Sequence, residues 1–120
     1  MRAYVYAQCE SCRKALRFLR EQGIAVEEVP VRETPPTLGE LSAMLGFVGG
    51  DVRRLFNTSG RDYREQNVGE RLRELTTEEA LALLATNGNL VKRPFLIGAA
   101  SGLVGFRPEE WERWARGGVR

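Results

Sequence analysis

The sequence predicts a mixed α/β fold: strand–helix–strand, then a helical block, then a hairpin and a last helix. Three observations carry this reading. Residues rich in β-branched and aromatic side chains open the chain at Arg2–Ala7 and return as "LVKRPFLIG" and "LVGF" near its end. Between these runs, apolar residues recur at the helical spacing of three and four. The connection between the first two strand signals is long enough to cross over between parallel neighbours.

Each element has its own signals. "RAYVYA" (Arg2–Ala7) alternates as a strand does. A helix follows from about Ser11, with Cys12, Ala15, Leu16 and Leu19 on one face and Arg13, Arg17 and Arg20 facing away. Gly23 ends it as a C-terminal cap. "IAVEEVPV" reads as the second strand, closed by Pro30 and by "TPPT" at 34–37.

The middle of the chain is helical in character. Thr37 and Glu40 form a capping-box pair before Leu38, Leu41, Met44 and Leu45, which are expected to share a face. "FVGG" breaks this helix, and a short one starts at Asp51. "NTSGRDY" reads as a turn-rich loop and "VGERLREL" as another helical turn or two. Thr76 and Glu79 repeat the capping box ahead of Leu81, Leu83 and Leu84, and "NGN" at 87–89 ends the block. "AASG" then turns the last two strand runs into an antiparallel hairpin. Pro108 suits the first position of a final helix, with Glu109 and Glu110 in its first turn, where the dipole favours acids. Trp111 and Trp114 share a face and are expected to pack on the sheet. The order amounts to a thioredoxin-like layout with a helical insertion at about 37–87, between the strand–helix–strand half and the hairpin–helix half, in a single domain spanning 1–120.

Composition narrows the function classes. The 120 residues are 42% hydrophobic and 28% charged, an ordinary globular balance. No apolar run is long enough for a membrane span, and no secretory signal pattern opens the chain, which points to the cytoplasm. Eighteen basic against 16 acidic residues give a net charge of +2, no footprint for direct nucleic-acid binding. The absence of histidine excludes imidazole acid–base chemistry and every metal site that needs imidazole.

Chemistry concentrates in "CESC". Cys9 and Cys12 are the chain's two cysteines, set where a strand gives way to a helix. A zinc site would need two further Cys or His ligands, which the chain lacks. Two buried thiols acting as small core residues suit Cys12, on the apolar helical face, better than Cys9, in the loop. A redox pair has the more direct mechanism. Helix-end amides favour a thiolate on the first cysteine, and the second sits one turn inside to resolve a mixed disulfide. Arg13 and Arg93 are expected to add positive charge nearby. Pro94, in "KRPFLIG", stands where thioredoxin-like folds carry a cis-proline facing the first cysteine.

"CESCRKA", "ETPPT" (33–37), "LFNTSGRDYRE" (55–65), "KRP" (92–94) and "LVGFRPEEW" (103–111), with their spacing, resemble the glutaredoxin-linked arsenate reductase family, which also contains the Spx-type transcription regulators. The resemblance implies a thioredoxin-like sheet with a helical insertion. It makes Cys9 the nucleophile and Arg93 and Arg107 two of three arginines that clamp an oxyanion. Asn57 stands at the third position, with Arg61 and Arg64 near but not matching. Cys12, which arsenate reductases of this type lack, brings the chain closer to the Spx-type and reductase-like branch. The resemblance implies no bound metal or organic cofactor, and a small thiol or a redoxin as electron donor. It implies a thiol, redoxin or oxyanion as partner, or, on the regulator branch, the RNA polymerase α subunit. "NTSG" (57–60) reads either as a plain turn or, by its match to the family's active-site loop, as backbone amides offered to an anion.

Overall fold

The computed structural model describes residues 1–117. Four strands form one sheet in the order β2-β1-β3-β4, with β1 Arg2–Val5, β2 Glu27–Pro30, β3 Phe95–Ile97 and β4 Gly102–Val104. β1 and β2 are parallel, and β3 runs antiparallel to both β1 and β4. This is the thioredoxin-like arrangement predicted from the element order. Helix α1 (Glu10–Glu21) makes the crossover and α6 (Pro108–Arg116) follows the hairpin. Between β2 and β3 lie α2 (Leu38–Phe47), α3 (Arg61–Glu65), α4 (Val68–Arg71) and α5 (Thr77–Thr86), with single 3₁₀ turns at Val52–Leu55 and Gly88–Leu90.

The pleat sorts side chains between two cores. Ala3, Val5, Leu96 and Leu103 face α1 and α6, meeting Cys12, Ala15, Leu19 and Trp111. Tyr4, Phe95, Ile97 and Val104 face the helical segment, meeting Leu41, Met44, Leu55, Leu84 and Leu90. Trp111 is fully buried, donates from its indole N–H to the Gly105 carbonyl at 2.9 Å, and stacks edge-on against Phe18, Phe106 and Trp114. Ring pairs of this kind contribute about 0.5–1.5 kcal/mol each beyond burial.

The helix ends follow the capping signals. Thr37–Glu40 and Thr76–Glu79 both form complete capping boxes, and Pro108 opens α6. Gly23 closes α1 at φ +70°: its amide donates to the Arg20 carbonyl and that of Ile24 to Leu19, the two bonds of a Schellman motif.

Four local expectations are corrected. Leu38 is 54% exposed rather than on the core face of α2, because the first helical position points away from the sheet that buries Leu41 and Met44. "NTSGRDY" is not loop throughout, since α3 begins at Arg61. β2 covers only Glu27–Pro30 of the run at 24–31, as an edge strand on which proline is tolerated. β3 begins at Phe95 rather than Leu90: Leu90 ends a 3₁₀ turn, Val91 bridges to Phe56, and Pro94 has no amide to donate. The amides of Asn57 and Lys92 instead bond the carbonyls of Leu90 and Leu55, tying the helical segment to the stretch that carries Arg93. No helix among the described residues is long and apolar enough to cross a membrane.

Candidate active site

Cys9 is the N-cap of α1. Its backbone is extended (φ −94°, ψ 118°), and its sulfur takes the place of a capping oxygen by accepting from the Cys12 amide at 3.4 Å. The Cys9 carbonyl receives the Arg13 amide, closing the first turn. Both cysteines are free thiols, Cys9 half-buried and Cys12 with no exposed surface. Burial pushes the Cys12 thiol up to about 12; the neighbouring Cys9 side chain adds to this, while the Tyr6 backbone and the Arg93 charge oppose it. The two sulfurs are thus unlike: one half-buried at a helix end, the other protonated against Ala15, Leu96 and Trp111.

Arg93 supplies the charge beside them. The Arg93–Pro94 peptide bond is cis and Pro94 is buried. The half-buried guanidinium donates to the carbonyls of Asn89 (3.0 Å), Gly88 (3.4 Å) and Val91 (3.4 Å). Burial lowers its pKa from the ordinary arginine range, and the two cysteine sulfurs pull it back up. It also lies 5.7 Å from the centre of the Tyr6 ring, which Arg32 approaches to 4.8 Å. Arg32 donates in turn to the Asn89 side chain at 2.8 Å, and Asp62 accepts from Asn87 and Asn89 at 3.2 Å each. Those two amides hold the Asp62 carboxyl below its usual range. The carbonyls that orient Arg93 are therefore anchored by a polar chain reaching back to α3.

Arg93 forms a wall of two clefts. One, of about 300 Å³, carries Arg53, Arg54, Lys92, Arg93 and Arg107 along with Ser11, one of the two residues between the cysteines. The other, of about 370 Å³, is lined by Arg32, Asn57, Arg61, Asp62, Asn89 and Arg93. The structure thus brings Arg93 and Arg107 together and sets Asn57 on the opposite side of Arg93, beside Arg61. Asn57 donates its backbone amide to the Leu90 carbonyl at 2.7 Å, and its side-chain nitrogen lies where a β-carbon on Gly60 would clash. Cys9, Cys12 and Pro94 line neither cleft themselves, their sequence neighbours Ser11 and Arg93 doing so, and Arg13 lies elsewhere again. It belongs to a separate surface patch with Glu10, Lys14 and Arg17 on the outer face of α1, the face that its helical phase assigns it.

Arg53, Arg54, Lys92 and Arg32 are cleft residues that sequence reasoning left out. "DVRRLF" carries a doublet of arginines just ahead of the resembling "LFNTSG" segment, and that proximity is the signal that marks them.

The ArsC family profile matches residues 4–114. The uncharacterized protein YusI of Bacillus subtilis is 41% identical over 113 residues, 93% of this chain and 96% of that protein. The global transcriptional regulator Spx of Enterococcus faecalis is 30% identical over 117 residues, 98% of this chain and 87% of that protein. A crystal structure from Bacteroides fragilis, described as related to the ArsC family, superposes with a TM-score of 0.87 at 42% identity, covering 93% of this chain and 94% of that one. With its cysteine pair, its arginine-walled clefts and its thioredoxin-like sheet, the chain belongs to the ArsC family.

Proposed function

We propose that this protein is a thiol–disulfide oxidoreductase in which Cys9 is the nucleophile, Cys12 the resolving thiol and Arg93 the cation that steadies the Cys9 thiolate and an incoming anionic group. The observation that carries the proposal is the division between the two sulfurs. Cys9 caps α1 and accepts the Cys12 amide, whereas Cys12 is wholly buried and held protonated. Cys9, at the start of the helix, attacks; its neutral neighbour one turn inside waits until a mixed disulfide forms on Cys9. Electrons then return from a small thiol or a redoxin, with no bound cofactor. Arg107 faces the same cleft as Arg93 and contributes to anion binding, as does the Asn57 side of Arg93.

The test is single-turnover oxidation of the reduced protein. Intact mass should fall by two hydrogens in the monomer, Cys9→Ser should abolish exchange, and Cys12→Ser should accumulate the mixed disulfide. Dimers linked between molecules, or faster labelling of Cys12 than of Cys9, would overturn the division of roles.

Arsenate is a poorer fit as substrate. An oxyanion clamp draws its strength from charge-assisted bonds, and Asn57 is neutral where the family resemblance expects a third cation. Asn57→Arg should raise arsenate turnover over a weak wild type, with Arg61→Ala testing whether Arg61 already serves. A second reading is supported by the 30% identity to Spx across 98% of the chain. The same cysteine pair would then act as an oxidation switch on binding to RNA polymerase. Capture of the RNA polymerase α subunit by one oxidation state, without thiol turnover, distinguishes it.

A further inference from the structure

The cleft walled by Ser11, two residues after Cys9, and by Arg93 is more cationic than a single oxyanion requires. Arg53, Arg54, Lys92, Arg93 and Arg107 converge on about 300 Å³ with no acidic residue in the lining. Among the described residues only Arg54 of these five has a carboxylate partner, Glu110 at 3.7 Å on the helix behind. Arg53 bonds a backbone carbonyl, that of Gly69 at 3.5 Å, and Arg93 bonds three. Like charges gathered without counter-charges repel one another and cost stability, so their convergence points to a ligand that neutralises them. The volume lies at the lower end of what organic ligands occupy, about 300–1,000 Å³. Phe106, half-buried at the same wall, offers an apolar face to the body of such a ligand.

We propose that this cleft recognises the phosphate groups of a low-molecular-weight thiol, so that the disulfide presented to Cys9 is one whose thiol half carries two or more phosphates. This rests on the thiol chemistry proposed above and names its substrate class. In the first step the Cys9 thiolate forms a bond to one sulfur of the disulfide. The substrate's own S–S bond breaks, and its second sulfur leaves as a thiolate that takes a proton from water. In the second step Cys12 gives its proton to solvent and attacks the Cys9 sulfur. The remaining phosphorylated thiol leaves, and two electrons have passed from the cysteine pair to the substrate. The phosphates stay among the cations through the first step, and their charge draws the substrate in, an effect that typically raises association about 10- to 1,000-fold.

Coenzyme A disulfide and pantethine make the test, because both present the same mercaptoethylamide sulfur to Cys9 and only the first carries phosphates. Reduced protein is mixed with each, quenched in acid and read by intact mass. The expected result is a rate ratio of about tenfold or more in favour of coenzyme A disulfide at low salt, shrinking as salt screens the cleft. The ratio should collapse in Arg53→Glu and in Lys92→Glu, and persist in Arg17→Glu, an equal charge reversal on the outer face of α1. A wild-type ratio near one, or a ratio that Arg17→Glu lowers as much as the cleft variants do, overturns the proposal. Desulfo-coenzyme A, measured by calorimetry, reads the cleft without any reacting sulfur. Binding lost in Lys92→Glu supports the proposal, and no binding to the wild type overturns it. No exchange with either disulfide would instead overturn the thiol reading itself, leaving the calorimetry to judge the cleft.

Discussion

Gly88→Ala should cost the protein both stability and the setting of Arg93. Gly88 is buried in the 3₁₀ turn before β3, against the backbone at the end of β2. A β-carbon there would overlap the Val31 carbonyl oxygen outright, lie 2.7 Å from its carbon and come to 3.0 Å from the Arg32 α-carbon. All three are backbone atoms, so no rotamer change relieves the clash. The two segments must part by on the order of 1 Å, and close-packed interiors do not absorb that freely. Overpacking typically costs about 1–3 kcal/mol. The rigid partners put this case at the upper end, near 3 kcal/mol, or about 10 °C in melting midpoint for a chain of this size. The shift also carries off the Gly88 and Asn89 carbonyls that orient Arg93. Folded Gly88→Ala protein should therefore show slower alkylation of Cys9. Gly46→Ala is the companion measurement: nothing lies within 4 Å of a β-carbon at this last-turn position of α2, and the change should stabilise by about 0.4–1 kcal/mol. A Gly88→Ala midpoint within 2 °C of wild type would refute the packing argument.

Three further outcomes are expected. Arg93→Ala should slow reaction of Cys9 with an anionic disulfide by about a hundredfold, the scale of losing one charged donor from a reacting site, and Arg93→Lys should restore only part of it; equal rates in all three proteins would remove Arg93 from the mechanism. In Cys9→Ser, folded Cys12 should resist iodoacetamide at pH 8 and become reactive in denaturant, because burial holds its thiol near 12; rapid labelling without denaturant would contradict this. Burial opposes ionisation of Glu40, but the Tyr4 hydroxyl at 2.6 Å, the Thr37 amide and Arg2 outweigh it and hold the carboxyl below its usual range. A depressed folded pKa stabilises above the unfolded value of about 4.3 and is lost as pH falls through the folded one. Chemical denaturation of wild type against Glu40→Gln should therefore differ at pH 7 and converge toward pH 3; a constant difference would show that charge is not the cause.

Local chemistry was legible wherever neighbours in sequence decide the outcome. The capping boxes at Thr37 and Thr76, the glycine stop at Gly23 and Pro108 at the start of α6 each act within one turn, so reading them needs no knowledge of the fold. The cysteine pair belongs to the same class, because Cys9 and Cys12 meet through the first turn of a helix. Periodicity was less reliable at edges. Leu38 matches the apolar phase of α2 but sits at its first residue, where no neighbouring layer covers it. The strand run at 90–98 has the right composition, yet its first half pairs with Leu55 and Asn57 rather than with the sheet. The clefts were the least legible feature. Arg53 and Arg54 come to Lys92 and Arg107 from positions some forty to fifty residues away, through packing of the helical segment on one face of the sheet. Composition registered those arginines only as part of a nearly balanced count of charges.

The sulfur proposed to react is also the atom that starts a helix. In the reduced protein the Cys12 amide proton is tied to the Cys9 sulfur, so whatever that sulfur becomes, thiolate, mixed disulfide or disulfide, alters the acceptor this proton sees. The Cys12 amide is a built-in indicator of oxidation state. Its resonance and its exchange with deuterated solvent can follow each chemical step directly, with no label on the protein and no chromophore on the substrate.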